Sequence, residues 1–265
     1  MTESISILCN KLYLSGVLHL PEEIQYKKVP IIVLLHGFVG SKVGEHRLFV
    51  KAARNFSAKG YAVVRFDFSG CGESDGDYAD VTVTKQLKEV QAILDYVSKL
   101  KEVDASNIIL IGHSLGGAVA SLTAAVDKRI RKLILWSPVA KPYEDIAMIV
   151  GDVALQTAKE LGTFDYHGFY VSQQFLEDLK NHHPLKAIRS YEGQLLVIHA
   201  AEDEDVPKEN AGYYSASFKP GVPVDIHYIK EANHTFASYS FEEELFEETL
   251  LWLKNSELYS SKIAL

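Results

Sequence analysis

The chain has 265 residues and a formal net charge of −8, with 27 Lys and Arg against 35 Asp and Glu. Its basic residues form no concentrated cluster, which argues against nucleic acid or an anionic membrane as the partner. With 47% hydrophobic residues and two cysteines, the composition excludes a disordered chain and a disulfide scaffold. At this length we expect one large domain, or a core with an inserted lobe.

Two strand-like runs, Ile5 to Cys9 and Leu12 to Leu20, open the chain and predict a β-hairpin. The first residues show no basic segment followed by an apolar stretch, so no secretory signal is predicted and a cytoplasmic location is expected. In a reducing cytosol, Cys9 and Cys71 are expected to remain unpaired.

Short apolar runs then alternate with helical stretches. The runs are Ile31 to Leu35, Ala62 to Phe66, Ile108 to Ile111, Lys132 to Trp136, Leu195 to His199 and Val224 to Ile229. Such runs are typical of strands that are covered on both faces of a parallel sheet. The predicted helices are Glu45 to Ala58, Leu87 to Val97, Leu115 to Val126, Lys208 to Ser215 and Phe241 to Lys254. The alternation predicts an α/β fold with a mostly parallel central sheet, helices on both faces and an antiparallel hairpin at one edge.

The alternation is interrupted once, between Pro138 and Pro184, where no strand-like run is found. A connection of this length is rarely an unstructured loop, so an inserted lid is predicted. The chain would then consist of a core of residues 1–137 and 185–265 and a lid of residues 138–184. The aromatic side chains of this segment either contact a substrate or form the lid's own small core, and both readings stay open.

The segment Gly112-His113-Ser114-Leu115-Gly116 follows a predicted strand and precedes a predicted apolar helix. It has the pattern G-x-S-x-G, in which the glycines permit a sharp turn that lifts the serine hydroxyl above the sheet edge. A serine at its ordinary pKa is a poor nucleophile, so it needs a base and a group that orients the base.

Suitable partners follow two later strands. Asp203 lies in the acidic run Glu202 to Asp205, and His234 follows the strand ending at Ile229. Both lie at the carboxyl ends of predicted strands, the edge at which open α/β sheets bind ligands. The order nucleophile, acid, histidine is the one expected for a G-x-S-x-G site.

Taken together, these motifs resemble those of the α/β-hydrolase superfamily over essentially the whole chain. The matching segments are His36-Gly37-Phe38, Arg65 to Ser74, the turn at Ser114, Asp203 to Pro207 and Asn233 to Phe236. The resemblance implies a triad of Ser114, Asp203 and His234, in which the family pattern D-x-x-V-P selects Asp203 and leaves Asp205 as the alternative acid. It also implies an oxyanion hole formed by the backbone N–H groups of Phe38 and Leu115.

Other histidines are interpreted as structural. His36 is expected to be a hydrogen bonder beneath the loop, whereas His199 and His227 lie within strands, where a satisfied or solvent-facing side chain is expected. His182 and His183 are adjacent and would point in opposite directions, and no further ligand completes a familiar spacing, so no metal is predicted.

Within the superfamily the sequence is most similar to bacterial cinnamoyl or feruloyl esterases. That resemblance implies that Asp145 and Tyr170 of the lid hydrogen-bond the ring hydroxyls of a hydroxycinnamoyl group. The alternative is that Asp145 is a surface acid of a lid helix.

The sequence therefore predicts a serine carboxylesterase that acts through an acyl-enzyme on a small-molecule ester, with no cofactor. A monoacylglycerol or short-chain lipase, a serine peptidase, an acyltransferase and a non-catalytic binding module remain as alternatives. The acidic run beside the triad is expected to favour neutral over anionic esters. The oligomeric state stays open, a homodimer included.

Overall fold

An eight-stranded sheet forms the centre of the computed structural model, which describes residues 1–22, 28–219, 222 and 224–263, with side chains up to residue 256. The strands in chain order are β1 (Thr2–Cys9), β2 (Leu12–His19), β3 (Val29–Leu35), β4 (Ala62–Phe66), β5 (Val103–His113), β6 (Ile130–Trp136), β7 (Thr163–Tyr166), β8 (Phe169–Ser172), β9 (Gln194–Ala200) and β10 (Asp225–Ile229). The sheet has the order β1-β2-β4-β3-β5-β6-β9-β10, and β2 runs antiparallel to both its neighbours. The other neighbouring strands of this sheet run parallel, so the predicted α/β architecture is confirmed.

Helices cover both faces of the sheet. They are α1 (Leu48–Ala58), α2 (Val83–Val97), α3 (Leu115–Ala124), α4 (Pro142–Leu161), α5 (Gln173–Leu179), α6 (Pro184–Ala187), α7 (Glu209–Ser217) and α8 (Tyr239–Ile263). Along β3, Ile31 and Val33 pack in the core on the side of α2 and α3, while Ile32 and Leu34 pack on the side of α1 and α8. Because both faces are buried, the strand has a continuous apolar sequence and no alternation.

The segment between β6 and α6 carries α4, the β7–β8 hairpin and α5. The prediction that residues 138–184 hold no strand is wrong. The hairpin forms because its two-residue turn, His167-Gly168, has φ values of 52° and 87°, the left-handed geometry that matches the twist of paired strands. The Asp165 carboxylate also accepts a hydrogen bond from the Gly168 N–H at 2.9 Å. Strands of four residues are too short to produce a recognisable period in the sequence.

Cys9 and Cys71 are both buried and unpaired. In the part of the chain that the structure describes, no helix combines the length and the apolar character needed to cross a bilayer.

Candidate active site

Ser114 lies on a sharp turn between β5 and α3, with φ 57° and ψ −126°. This is a strained conformation for a residue with a side chain, and the close packing of its neighbours enforces it. A Cβ atom on Gly112 would lie 2.2 Å from the carbonyl oxygen of Gly116, and one on Gly116 would lie 2.4 Å from that of Leu35. The Ser114 N–H donates to the carbonyl oxygen of Trp136 at 3.0 Å. The glycines are therefore required where β3, β5 and α3 approach each other.

The loop after β3 passes directly beside the serine. A Cβ atom on Gly37 would lie 2.8 Å from Ser114 Cβ and 3.2 Å from Ser114 Oγ. His36 holds the loop from below, because its Nδ1 donates to the Gly37 carbonyl oxygen at 2.9 Å and its Nε2 accepts from the Phe68 N–H at 3.0 Å. Burial lowers the pKa of His36 to about 4, so the ring is neutral at pH 7 and can accept that bond. The prediction that His36 is a structural hydrogen bonder is confirmed.

Asp67 ties the same loop to the segment after β4. Its fully buried carboxylate accepts from the Lys42 N–H and the Lys42 ammonium, both at 2.5 Å, and from the Glu73 N–H at 2.9 Å. A Cβ atom on Gly72, whose φ is 54°, would lie 2.2 Å from Asp67 Oδ2. The position therefore requires glycine, since any side chain would displace the carboxylate that holds both loops.

Asp203 and His234 are joined at the carboxyl edge of the sheet. His234 Nδ1 donates to Asp203 Oδ2 at 2.8 Å, and Asp203 Oδ1 accepts from the N–H groups of Val206 at 2.8 Å and Asp205 at 3.0 Å. The Asp203 side chain is fully buried, whereas Asp205 is exposed. Burial raises the pKa of Asp203, but hydrogen bonds from His199 and His234 outweigh it and hold that pKa well below its usual range. Of the two acids considered from the sequence, Asp203 is the one that the structure joins to His234.

His113 is a neighbour of the site that sequence analysis did not assign. Its ring lies 4.9 Å from the His234 ring, centroid to centroid, and its Nε2 donates to the His234 carbonyl oxygen at 3.0 Å. Burial and the nearby His234 lower the pKa of His113 to about 3. A neutral His113 can therefore support the His234 ring without adding a charge beside it. Its position next to Ser114 in the motif was the available signal, but the contact itself depends on the fold.

Two cavities meet at Ser114 and His234, which line both of them. The loop chamber, of about 390 Å³, lies against residues 36–41 and is also lined by Phe49 and Phe169. The acidic chamber, of about 420 Å³, is lined by Glu204, Asp205 and Tyr166, and Glu45 borders both chambers. Each has the volume of a small-molecule pocket.

Aromatic side chains from the segment between β6 and α6 pack against the loop that borders both chambers. Phe38 stacks on Phe175 at 5.6 Å and contacts Tyr166 at 5.1 Å, centroid to centroid. Tyr166 and Phe169 line the chambers, whereas Phe164 and Phe175 are buried in the core. Phe164 and Phe175 thus belong to the main hydrophobic core, while Tyr166 and Phe169 are placed where a substrate could reach them.

Asp145 and Tyr170 lie elsewhere. Asp145 is buried at the start of α4, where its Oδ2 accepts from the N–H groups of Ala140 at 2.9 Å and Lys141 at 3.1 Å and from Asn210 Nδ2 at 2.8 Å. It is therefore not a surface acid. Tyr170 is 61% exposed, and among the described residues neither side chain lines the loop chamber or the acidic chamber. Their contact with a substrate stays a prediction that this geometry does not support.

A serine on such a turn, followed by an acid and a histidine at the same sheet edge, is the site of an α/β-hydrolase-fold protein. The family model of the alpha/beta hydrolase fold matches residues 30–164, and the chain belongs to this family. Within the described residues, no group of three or more His, Cys, Asp and Glu side chains is placed to hold a metal ion.

Similar proteins include several hydrolases. The structure of Est1E from Butyrivibrio proteoclasticus with bound ferulic acid has a TM-score of 0.84 and 25% identity, covering 96% of this chain and 99% of that chain. The mouse mitochondrial palmitoyl-protein thioesterase ABHD10 is 28% identical over 191 residues, which are 68% of this chain and 61% of the relative. The human acylamino-acid-releasing enzyme is 26% identical over 246 residues, 86% of this chain and 31% of the relative. The chain thus spans between about a third and three fifths of the length of these two curated relatives.

Proposed function

We propose that the protein is a carboxylic ester hydrolase that acts through an acyl-enzyme on Ser114. The observation that carries the proposal is the His234–Asp203 hydrogen bond beside a cleft that Ser114 and His234 both line. Because Asp203 accepts the proton on Nδ1, His234 Nε2 is left as the base. It takes the Ser114 proton as Oγ attacks the ester carbonyl, and then gives it to the leaving alcohol. Water, activated by His234 in the same way, then attacks the acyl-enzyme and the carboxylic acid product is released.

The oxyanion of each tetrahedral intermediate is proposed to bind the N–H groups of Phe38 and Leu115. Leu115 opens α3, where the first N–H groups have no acceptor within the helix. Phe38 follows Gly37, whose position beside Ser114 is held by His36. Preorganised donors of this kind contribute roughly 10²- to 10³-fold to the rate.

The proposed substrate is a hydroxycinnamoyl ester or another ester of a small acyl group. Phe38, Phe169 and Tyr166 give the cleft aromatic walls, which suit a flat ring because offset and edge-to-face contacts are favourable. The likeness to a structure that holds ferulic acid points in the same direction. A monoacylglycerol or short-chain lipase, a serine peptidase and an acyltransferase would use the same triad, so the substrate must decide among them.

A panel of substrates tests the proposal. Ethyl ferulate, a butyrate ester, a medium-chain monoglyceride, an aminoacyl anilide and a palmitoyl thioester are compared with the wild-type protein and with Ser114→Ala. We expect ferulate and butyrate hydrolysis that Ser114→Ala abolishes, while Ser190→Ala, at an exposed serine, keeps it. Faster turnover of the anilide, the thioester or the monoglyceride would reassign the substrate, and activity retained by Ser114→Ala would refute the mechanism. Asp145→Ala and Tyr170→Phe complete the panel, and an unchanged ratio of ferulate to butyrate hydrolysis in both would refute the sequence-based prediction that these two side chains contact the substrate.

A matched pair of variants tests the acid. Asp203→Asn should lower kcat by about 10⁴-fold, because the amide no longer holds the His234 tautomer. Asp205→Asn, two residues away and exposed, should stay close to wild type. The opposite result would make Asp205 the functional acid.

A further inference from the structure

A second imidazole contacts the carboxylate of Asp203. His199 lies in β9, four residues before Asp203, and is fully buried. Its Nε2 lies 3.3 Å from Asp203 Oδ2 and 3.2 Å from the Val206 carbonyl oxygen. Both neighbours are hydrogen-bond acceptors, so Nε2 must carry the proton and donate towards them. The sequence had suggested only a satisfied or solvent-facing side chain at this position.

The other nitrogen of His199 has no such contact. Its Nδ1 is buried and has no hydrogen-bond partner among the residues that the structure describes. An unpaired buried acceptor destabilises a fold, and an aliphatic side chain would occupy a buried strand position without that cost. The contribution of the imidazole must therefore come from its Nε2 side, where it reaches the triad acid.

With His199, the Asp203 carboxylate is surrounded by donors. Oδ1 accepts two backbone N–H groups, and Oδ2 is shared by His234 Nδ1 and His199 Nε2. Each donor takes up part of the negative charge, so a carboxylate with more donors attracts each remaining proton less strongly. From this geometry, Asp203 is expected to hold a proton on His234 less tightly than an acid without the contact to His199 would.

We propose that His199 is a positioning residue that fixes the Asp203 carboxylate and extends the activity of His234 as a base to lower pH. The inference rests on the proposed function of the triad. His199 touches neither the serine nor the cleft, and acts through Asp203. Its effect is therefore expected in the pH dependence of Ser114 reactivity more than in the maximal rate.

Other charged or titratable groups surround the Asp203–His234 pair, and they come from several elements. Around His234 they are His113 at the end of β5, Glu45 before α1, Tyr166 in β7, His167 in the β7–β8 turn, and Glu204 and Asp205 after β9. All of them are retained in a variant of His199. A change in the pH profile of such a variant can therefore be assigned to the lost contact.

The test follows the reactivity of Ser114 with a fluorophosphonate as a function of pH. In this reaction Ser114 Oγ forms a bond to phosphorus, the P–F bond breaks, fluoride leaves and His234 receives the serine proton. His199→Leu removes the donor at similar volume, whereas His199→Gln can present an amide N–H in place of Nε2–H. We expect the acidic midpoint of the profile to move up by about 0.5 to 1 pH unit in His199→Leu and to stay near wild type in His199→Gln. A slower reaction with an unmoved midpoint in His199→Leu, or equal shifts in both variants, would overturn the proposal.

The unmodified protein provides a second test that needs no variant to fold. At about pH 8, ¹⁵N shifts of the histidine rings distinguish the two neutral tautomers, and His199 is expected to carry its proton on Nε2. A proton on Nδ1 would contradict the contact to Asp203. Neither measurement needs an ester to be hydrolysed. An inactive ester panel with the midpoint shift would refute the proposed substrate alone, and an active panel without the shift would refute the role of His199 alone.

Discussion

Acid should destabilise the protein through His36, whose ring is buried beneath the loop beside Ser114. Burial lowers its pKa from 6.5 to about 4. Between these values the unfolded chain binds a proton that the folded protein does not. The free energy of unfolding therefore keeps its full value above pH 6.5 and falls as the pH falls towards 4. Protonation of Nε2 would also remove the acceptor of the Phe68 N–H.

The size of the effect follows from the shift in pKa. Lowering the pH from about 7.5 to 5 should reduce the free energy of unfolding by about 2 kcal/mol through this one residue. In a chain of this size, 1 kcal/mol corresponds to about 2 °C in Tm, so the contribution of His36 is about 4 °C.

Thermal unfolding at pH 7.5 and pH 5 of the wild-type protein and of His36→Gln measures this contribution. Gln does not titrate and can still offer an acceptor to the Phe68 N–H, so its Tm should fall by about 4 °C less than that of the wild type. His19 and His113, whose pKa values burial lowers to about 4 and about 3, and Glu89, whose pKa burial raises, titrate in both proteins and cancel in the comparison. Equal losses of Tm in the two proteins would refute a neutral, buried His36.

Three further outcomes are expected. Gly37→Ala should lower the rate of ester hydrolysis by about 10²-fold, because its Cβ would displace Ser114. Gly212→Ala, at an open helical position, should keep the wild-type rate, and equal rates in the two variants would contradict the close approach of Gly37 to Ser114. Lys42→Met should lower the free energy of unfolding by about 3 kcal/mol, because it removes the ammonium group that is paired with the buried Asp67 carboxylate. An unchanged midpoint of unfolding in urea would disprove this. Esters with a cationic alcohol should react faster than esters with an anionic alcohol and the same acyl group, because the acidic chamber attracts positive charge. The ratio of the two rates should fall as salt is added, and a ratio that does not depend on salt would exclude this electrostatic cause.

The sheet and the arrangement at its edge could be predicted because their signals are local. Short apolar runs mark the buried strands, and Ser114, Asp203 and His234 follow β5, β9 and the edge strand β10, so the topology brings them to one edge. His36 was also interpretable, as part of a short motif after a strand.

Contacts that depend on the path of the folded chain could not be predicted in this way. The contact of His199 with Asp203 depends on how the chain turns after β9, and the ring contact between His113 and His234 joins residues far apart in sequence. Asp145 was predicted as a substrate contact from its place in the sequence alone. In the structure its carboxylate accepts hydrogen bonds from backbone N–H groups at the start of α4. In the same segment, a two-residue turn with left-handed geometry forms a hairpin whose strands are too short to show an alternating hydrophobic pattern in the sequence.

The meeting of two chambers at Ser114 has a consequence for the order of events in one turnover of the proposed reaction. If the acyl group rests in one chamber, the departing alcohol vacates the other while the acyl-enzyme is still intact. The second nucleophile can then arrive along the route by which the first product left, without displacing the bound acyl group. Water and a small added alcohol would compete for the same chamber, so the lining of that chamber would influence the partition between hydrolysis and transesterification.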